Sequence, residues 1–291
     1  MSKKTAKWEK KVRIRHGEPI ECLGLTFYPI KVARYEEFNE VKSAWTVRLS
    51  TLPVKYSIMS FLSALWALDF DSFQQTGKVV GLFSRVLHLL YLSLRLEYNT
   101  QEAFSHVYYM KGKLGELSHI EVTQDGNTVT ITPRDFAAYI RPLVAQQNGL
   151  ELPDESFNPE LVEAEQIMAE EAQKKSPLSY DTDTLISSVA YASGISEAEL
   201  DDWTILLFER RIRAIERDKK YMLYKQAELS GMVKFPKGNP CASWCYDTKS
   251  LSAAIIPLGD LQQKHRGLGG ISGTVNASLD KGQAPRQQTK S

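Results

Sequence analysis

The sequence predicts a mainly α protein with a small β-hairpin, an α+β arrangement of two small helical domains joined by a charged linker. Three observations carry this reading. Apolar residues recur at spacings of three and four across 32–96 and again across 202–230, which is the helical period. One stretch, 119–132, alternates with period two around Gln124-Asp125-Gly126-Asn127, as a hairpin does. Finally, 150–180 is dominated by Glu, Asp, Gln, Lys, Ala and Pro and lacks the apolar density a core needs. The expected divisions are a basic disordered arm at 1–16, a helical domain with the hairpin at 17–150, a charged linker at 151–183, a second helical domain at 184–240 and a largely disordered tail at 241–291.

The elements follow in order. Residues 22–30 are aromatic and β-branched, with Pro29 limiting them to a weak edge strand. Tyr35, Phe38, Val41, Trp45 and Leu49 mark an amphipathic helix over 32–49. Pro53 sits near the first turn of the next helix, whose stripe is Ile58, Phe61, Leu62, Leu65 and Trp66. Residues 78–96 are apolar nearly all round and belong at the centre of the first domain, because such a helix must be buried. Thr132 followed by Pro133 opens a helix that Asn148-Gly149 ends. The linker could be helical over 159–174. Asp183 is placed to cap a helix to Ser193 that Gly194 terminates, and Ser196 with Glu199 has capping-box spacing. The main element of the second domain is a long helix over 202–230, with Trp203 and Phe208 expected in its buried seam.

Hydrophobic residues make up 43% of the 291-residue chain and charged residues 24%, the balance of a chain that can bury a core. The formal net charge of +1 gives the whole molecule no strong pull on polyanions or anionic membranes. The N-terminus lacks the apolar run of a secretory signal. Arg85, His88 and Arg95 interrupt the longest apolar stretch, arguing against a membrane span. Three cysteines, Cys22, Cys241 and Cys245, do not form a disulfide framework, so a reducing cytoplasm is expected.

No enzyme activity is expected, because there is no phosphate-binding Gly-rich loop, no His-Glu-x-x-His and no nucleophile elbow. Hence no catalytic residue, cofactor or metal is assigned. His88 reads as a hydrogen-bonded core residue. Cys241 and Cys245, four apart with His265 beyond, depart from the paired spacing of zinc sites. Asp69, Asp71, Asp201 and Asp202 sit where helix caps or ends use them. The basic arm, with Trp8 and seven Lys or Arg among its first 15 residues, could neutralise a few phosphates. Without a recognition motif beside it, nucleic acid is not an expected partner.

Several stretches carry a resemblance. Leu52-Pro53-Val54-Lys55-Tyr56 running to Leu65-Trp66, Ile131-Thr132-Pro133-Arg134-Asp135-Phe136, Gln147-Asn148-Gly149, Leu152-Pro153-Asp154 and Asn158-Pro159 resemble tail proteins of long-tailed bacteriophages and prophages of Gram-positive bacteria. From Leu185 through Phe208-Glu209-Arg210-Arg211-Ile212 to Ser230-Gly231 and on to Pro240, the chain resembles the downstream part of their tail assembly chaperones. That resemblance implies binding to the long, apolar, helical tape measure protein and recruitment of the major tail-tube protein. It further implies residence in the host bacterial cytoplasm and absence from the mature virion. It also implies a short product made by ribosomal frameshifting near Lys174-Lys175. Self-association is a further possibility. Tyr221 and Tyr224, off the line of Phe208, Ile212 and Ile215, are the expected partner-binding residues, since tyrosine joins an apolar ring to a polar tip; packing near Phe235 is the alternative role. The competing readings are a structural component of the tail or baseplate, and a nucleic-acid-binding regulator acting through the basic arm.

Overall fold

A computed structural model describes residues 3–110, 113–153 and 181–231, with positions 164, 167, 168, 171, 235, 241 and 243–245. Most of the expected linker helix and tail, with Lys174, Lys175 and His265, lie outside the described residues. The fold class agrees with the sequence: mostly helix, with a three-stranded antiparallel sheet and a separate two-stranded hairpin. The basic arm departs from expectation. Lys3–Arg15 is a helix, α1, where disorder was expected. Its ordering has a local cause: Ile14 is buried and Val12 half-buried, while Arg13 donates to the Pro19 carbonyl at 2.6 Å and pairs with Glu18 at 3.2 Å.

The stretch expected to be one weak strand is a tight hairpin, β1 (Ile20–Cys22) paired antiparallel with β2 (Leu25–Phe27). Leu23 and Gly24 turn it, both at positive φ, 54° and 81°, the conformation that matches strand twist in two-residue hairpins. Along residues 26–30, buried side-chain amides supply hydrogen bonds that a neighbouring strand would otherwise give. The Gln124 carboxamide accepts from the Thr26 N–H at 2.7 Å and donates to the carbonyls of Thr26 and Leu94, each at 3.0 Å. Gln147 donates to the Phe27 carbonyl at 3.1 Å, and Asn148 accepts from the Ile30 N–H at 2.8 Å.

Helix α2 (Tyr35–Trp45) packs its Phe38, Val41, Ala44 and Trp45 face into the core, chiefly against the central helix α5 (Leu82–Leu94). It is shorter than the periodicity suggests, because Val32–Arg34 forms a 3-10 turn before it. The helix expected from Pro53 onward is two helices, α3 (Val54–Ser57) and α4 (Phe61–Thr76). They separate because Tyr56 folds back onto Ala64 and Ala67 and donates its hydroxyl to Asp71 at 2.9 Å, which leaves Ile58 exposed outside the stripe. As expected of an element apolar nearly all round, α5 is buried along most of its length. His88, expected to be a hydrogen-bonded core residue, is instead half-buried, with its Nε2 3.5 Å from a Glu37 carboxylate oxygen and its ring stacked on Tyr98 with centroids 4.5 Å apart.

After α6 (Thr100–Ser105) come β3 (Val107–Met110), β4 (Lys113–Gln124) and β5 (Asn127–Ile131), ordered β3-β4-β5. The β4–β5 hairpin, turned at Asp125 and Gly126, is the one the alternation predicts. β3 has no such alternation to announce it. Thr132 caps α7 (Pro133–Asp135), which continues through a π turn at Phe136–Ile140 into α8 (Arg141–Asn148), and Gly149 closes α8 at φ 72°. The Arg141 side chain is buried with its guanidinium 3.5 Å from the Phe61 ring centroid, donating to the carbonyls of Trp45 at 3.1 Å and Val47 at 3.0 Å. Trp45 Nε1 donates back to the Arg141 carbonyl at 3.1 Å.

The residues assigned to a second domain join this same core. They form α9 (Thr182–Ser193), capped by Asp181 and not Asp183, α10 (Glu197–Asp201), with the anticipated Ser196–Glu199 capping box, and α11 (Ile205–Leu229). The two-domain division fails at the described residues because backbone pairing ties 30–32 to 203–205. The Val32 N–H donates to the Trp203 carbonyl, and the Ile205 N–H to the Ile30 carbonyl, both at 2.9 Å. Val189, Leu200, Ile205, Leu206 and Phe208 then share one buried cluster with Phe27, Phe38 and Trp45. Gly149 and Gly17 permit the approach: a Cβ on Gly149 would lie 3.2 Å from Leu206, and one on Gly17 only 2.8 Å from Thr204. Trp203, expected to be buried, is half-buried: it packs against the edge of the core with the Arg211 guanidinium 5.5 Å from its ring centroid, whereas Phe208 is fully buried.

Candidate protein-contact surface

Helix α4 divides its sequence among three faces. Leu62, Leu65 and Asp69 turn into the core, and Ala64, Ala67 and Leu68 pack with Tyr56 of α3. The third row is Trp66, Phe70 and Phe73, at i, i+4 and i+7 and therefore aligned along one side of the helix. Beside it runs the end of β3. The Tyr109 ring stacks on Trp66 with centroids 5.8 Å apart and planes 13° from parallel, and Phe70 lies 6.5 Å from Trp66 on the same stripe. Phe83 meets Trp66 edge-on at 5.1 Å, and Phe104 lies tilted against Trp66 at 6.1 Å. The foundation is fixed while the outer members stay open to solvent: Phe73 is 53% exposed, Tyr109 46% and Met110 52%. Val79 and Val80, in the connection after α4, are exposed as well. Exposed apolar side chains around a packed aromatic cluster suit an interaction site.

Acidic groups next to the stripe have structural partners. The buried Asp69 carboxylate accepts from the N–H groups of Gly81 and Phe83, each at 2.9 Å, and so caps α5. Burial pushes its carboxyl above the usual range, against the opposing pull of those donors. On the α3 face, the Lys55 ammonium 2.7 Å from Asp71 holds that carboxyl below the usual range. Asp202, in turn, pairs with Lys31. Each of these carboxylates thus serves a cap or an ion pair. The Cys22 thiol is half-buried, and burial raises its pKa, which disfavours the nucleophilic thiolate. Cys241 is buried and Cys245 exposed, both as free thiols beside Ser243. Among the described residues, no group of three or more His, Cys, Asp or Glu side chains could hold a metal ion.

The tyrosines singled out from the sequence lie on α11. Tyr221 and Tyr224 are both half-buried, and Tyr224 meets Phe235 edge-on at 5.7 Å. That contact favours the packing role for Tyr224. Around them Met222, Leu223 and Leu229 are exposed, because α11 is fully buried only at Ile205, Leu206 and Phe208 in its first turn. Sequence reasoning missed Phe70, Phe73, Tyr109 and Met110. A signal existed in α4: a second apolar row, offset from Leu62 and Leu65, is more than one buried face requires. No such signal marked Tyr109 and Met110, since an unalternating four-residue run does not say which side faces solvent.

Among the described residues, no helix is long and apolar enough to cross a membrane. Comparisons with family models, with curated proteins and with solved structures find no match.

Proposed function

We propose that this protein is a non-enzymatic, cytoplasmic assembly factor that holds an apolar helical client, as the tail assembly chaperones it resembles do for the tape measure protein. The observation that supports this is the aromatic cluster of Trp66, Phe70 and Tyr109, packed on Phe83 and Phe104, with Phe73 on the same row of α4 and Met110 at the end of β3 exposed to solvent. An amphipathic helix recognises such a surface by laying its own i, i+3, i+4 and i+7 anchors along it. A long client exposing that face would otherwise aggregate, so covering it keeps the client soluble until tail-tube protein polymerises around it. Release at that point leaves the finished particle without the chaperone.

The test is co-expression with a tape measure protein. Phe73→Ser and Met110→Ser together change side chains already more than half exposed, so thermal stability should stay close to that of the native chain. The client should then appear in the insoluble fraction, whereas the native chain co-purifies with it. Soluble client recovered equally with both proteins would refute the stripe as the binding surface. Purified virions should lack the protein. Their retaining it in fixed amount would favour the tail-component reading.

A short frameshift product ending soon after Lys175 is part of the same proposal. Such a product would lack Phe208 and Ile205, which cover Tyr35 and the 30–32 segment, so it would expose a second apolar surface. Mass spectrometry of producing cells should detect peptides of this form. An uninterrupted reading frame across 174–175 with no short product would exclude it.

A further inference from the structure

α1, α8 and the first turns of α11 enclose a cleft of about 680 Å³, within the usual range of roughly 300–1,000 Å³ for ligand sites. Its charged lining is of one sign, Lys10, Lys11 and Arg15 from α1 and Arg210 from α11, and Trp8, Val12 and Ile14 of α1 with Gln146 of α8 complete the walls. None of these four cations pairs with a carboxylate among the described residues. Arg13, which pairs with Glu18, is outside the lining. Trp8 is 66% exposed, the largest value for an aromatic ring on α1, α8 or α11.

From this arrangement we infer that the cleft binds single-stranded nucleic acid, the four cations tracking phosphates and the Trp8 indole offering a face to a base. A positively charged groove combined with an open aromatic ring is the usual chemistry of such sites. The clustering also overcomes the near-neutral net charge of the chain, because the attraction is local. Docking on an anionic membrane is disfavoured by what α1 does with its apolar side: Ile14 is buried and Val12 half-buried in the protein, and are not free to insert. An acidic peptide would satisfy the cations but gives the open indole no ring to stack on. This site is independent of the aromatic stripe on α4.

The experiment is fluorescence anisotropy of the full chain with a labelled oligothymidylate at low salt. Four phosphate contacts give a slope of log affinity against log salt near −3, from about −0.7 per phosphate on single strands. Lys10→Glu with Lys11→Glu should weaken binding at least tenfold and flatten that slope, and Trp8→Ala should weaken it about fivefold or more. Lys219→Glu with Lys220→Glu makes the same change of charge at exposed positions of α11 outside the cleft and should leave binding within twofold. Circular dichroism checks that every variant is folded. Absence of binding by the native chain, equal losses from the two charge reversals, or binding confined to phosphatidylserine vesicles or to an acidic peptide would each overturn the inference.

Discussion

Replacing Phe208 with alanine should destabilise the whole described fold, and not merely the helix that carries it, by about 3–5 kcal/mol, the usual cost of truncating a buried aromatic residue. The Phe208 side chain has no exposed surface, and its ring meets Tyr35 edge-on at 5.2 Å. Tyr35 opens α2, so the loss is felt on both sides of the pairing between 30–32 and 203–205. Urea unfolding followed by tryptophan fluorescence and by far-ultraviolet circular dichroism should show one coincident transition, shifted to lower denaturant. Two separated transitions, with only the later one unaffected by the substitution, would restore the two-domain division that the sequence suggested.

The second large effect belongs to Gln124. Its carboxamide satisfies three backbone groups from two distant segments, the N–H and carbonyl of Thr26 and the carbonyl of Leu94. Gln124→Leu keeps much of the volume but leaves those groups without their partner, at about 1–3 kcal/mol for each group that stays unsatisfied. A total loss of about 3 kcal/mol is expected, with amide exchange accelerating first in Leu25–Phe27. Gln124→Glu should lose less at acidic than at neutral pH, because the protonated acid retains one donor while the carboxylate has none. A leucine variant as stable as the native chain would mean that the amide bonds are replaceable by water or rearrangement.

Much of the helical framework could be read from residue pattern alone, because amphipathic spacing and caps are local signals. Thr132-Pro133, Gly194 and the Ser196–Glu199 box each fell at an observed helix boundary, and Asp125-Gly126 turned the hairpin it announced. What could not be read was long-range. The ordering of α1 depends on where Ile14 finds a partner, and the union of the two expected domains depends on Ile30 and Val32 meeting Trp203 and Ile205 across more than 170 residues of chain. Gln147 and Asn148, whose sequence with Gly149 carried part of the resemblance, proved to be buried amides that secure residues 27 and 30. On the contact surface, Trp66 was legible as part of a helical stripe, but its stacking on Tyr109 joins two elements some forty residues apart and leaves no trace in either one. Tyr221 and Tyr224 illustrate the converse, since periodicity places a tyrosine on a face without saying what covers that face.

Hydroxyl-radical footprinting of the native chain, free and bound to a tape measure protein, tests the client-binding proposal most directly, because oxidation reports side-chain exposure residue by residue. Trp66, Phe73, Tyr109 and Met110 should lose most of their reactivity in the complex, while Tyr191, fully open at 90% exposure on α9, should keep its own. Undiminished oxidation of the α4 and β3 residues, with protection appearing instead at Tyr221 and Met222 on α11, would contradict the assignment and move the contact to the long helix.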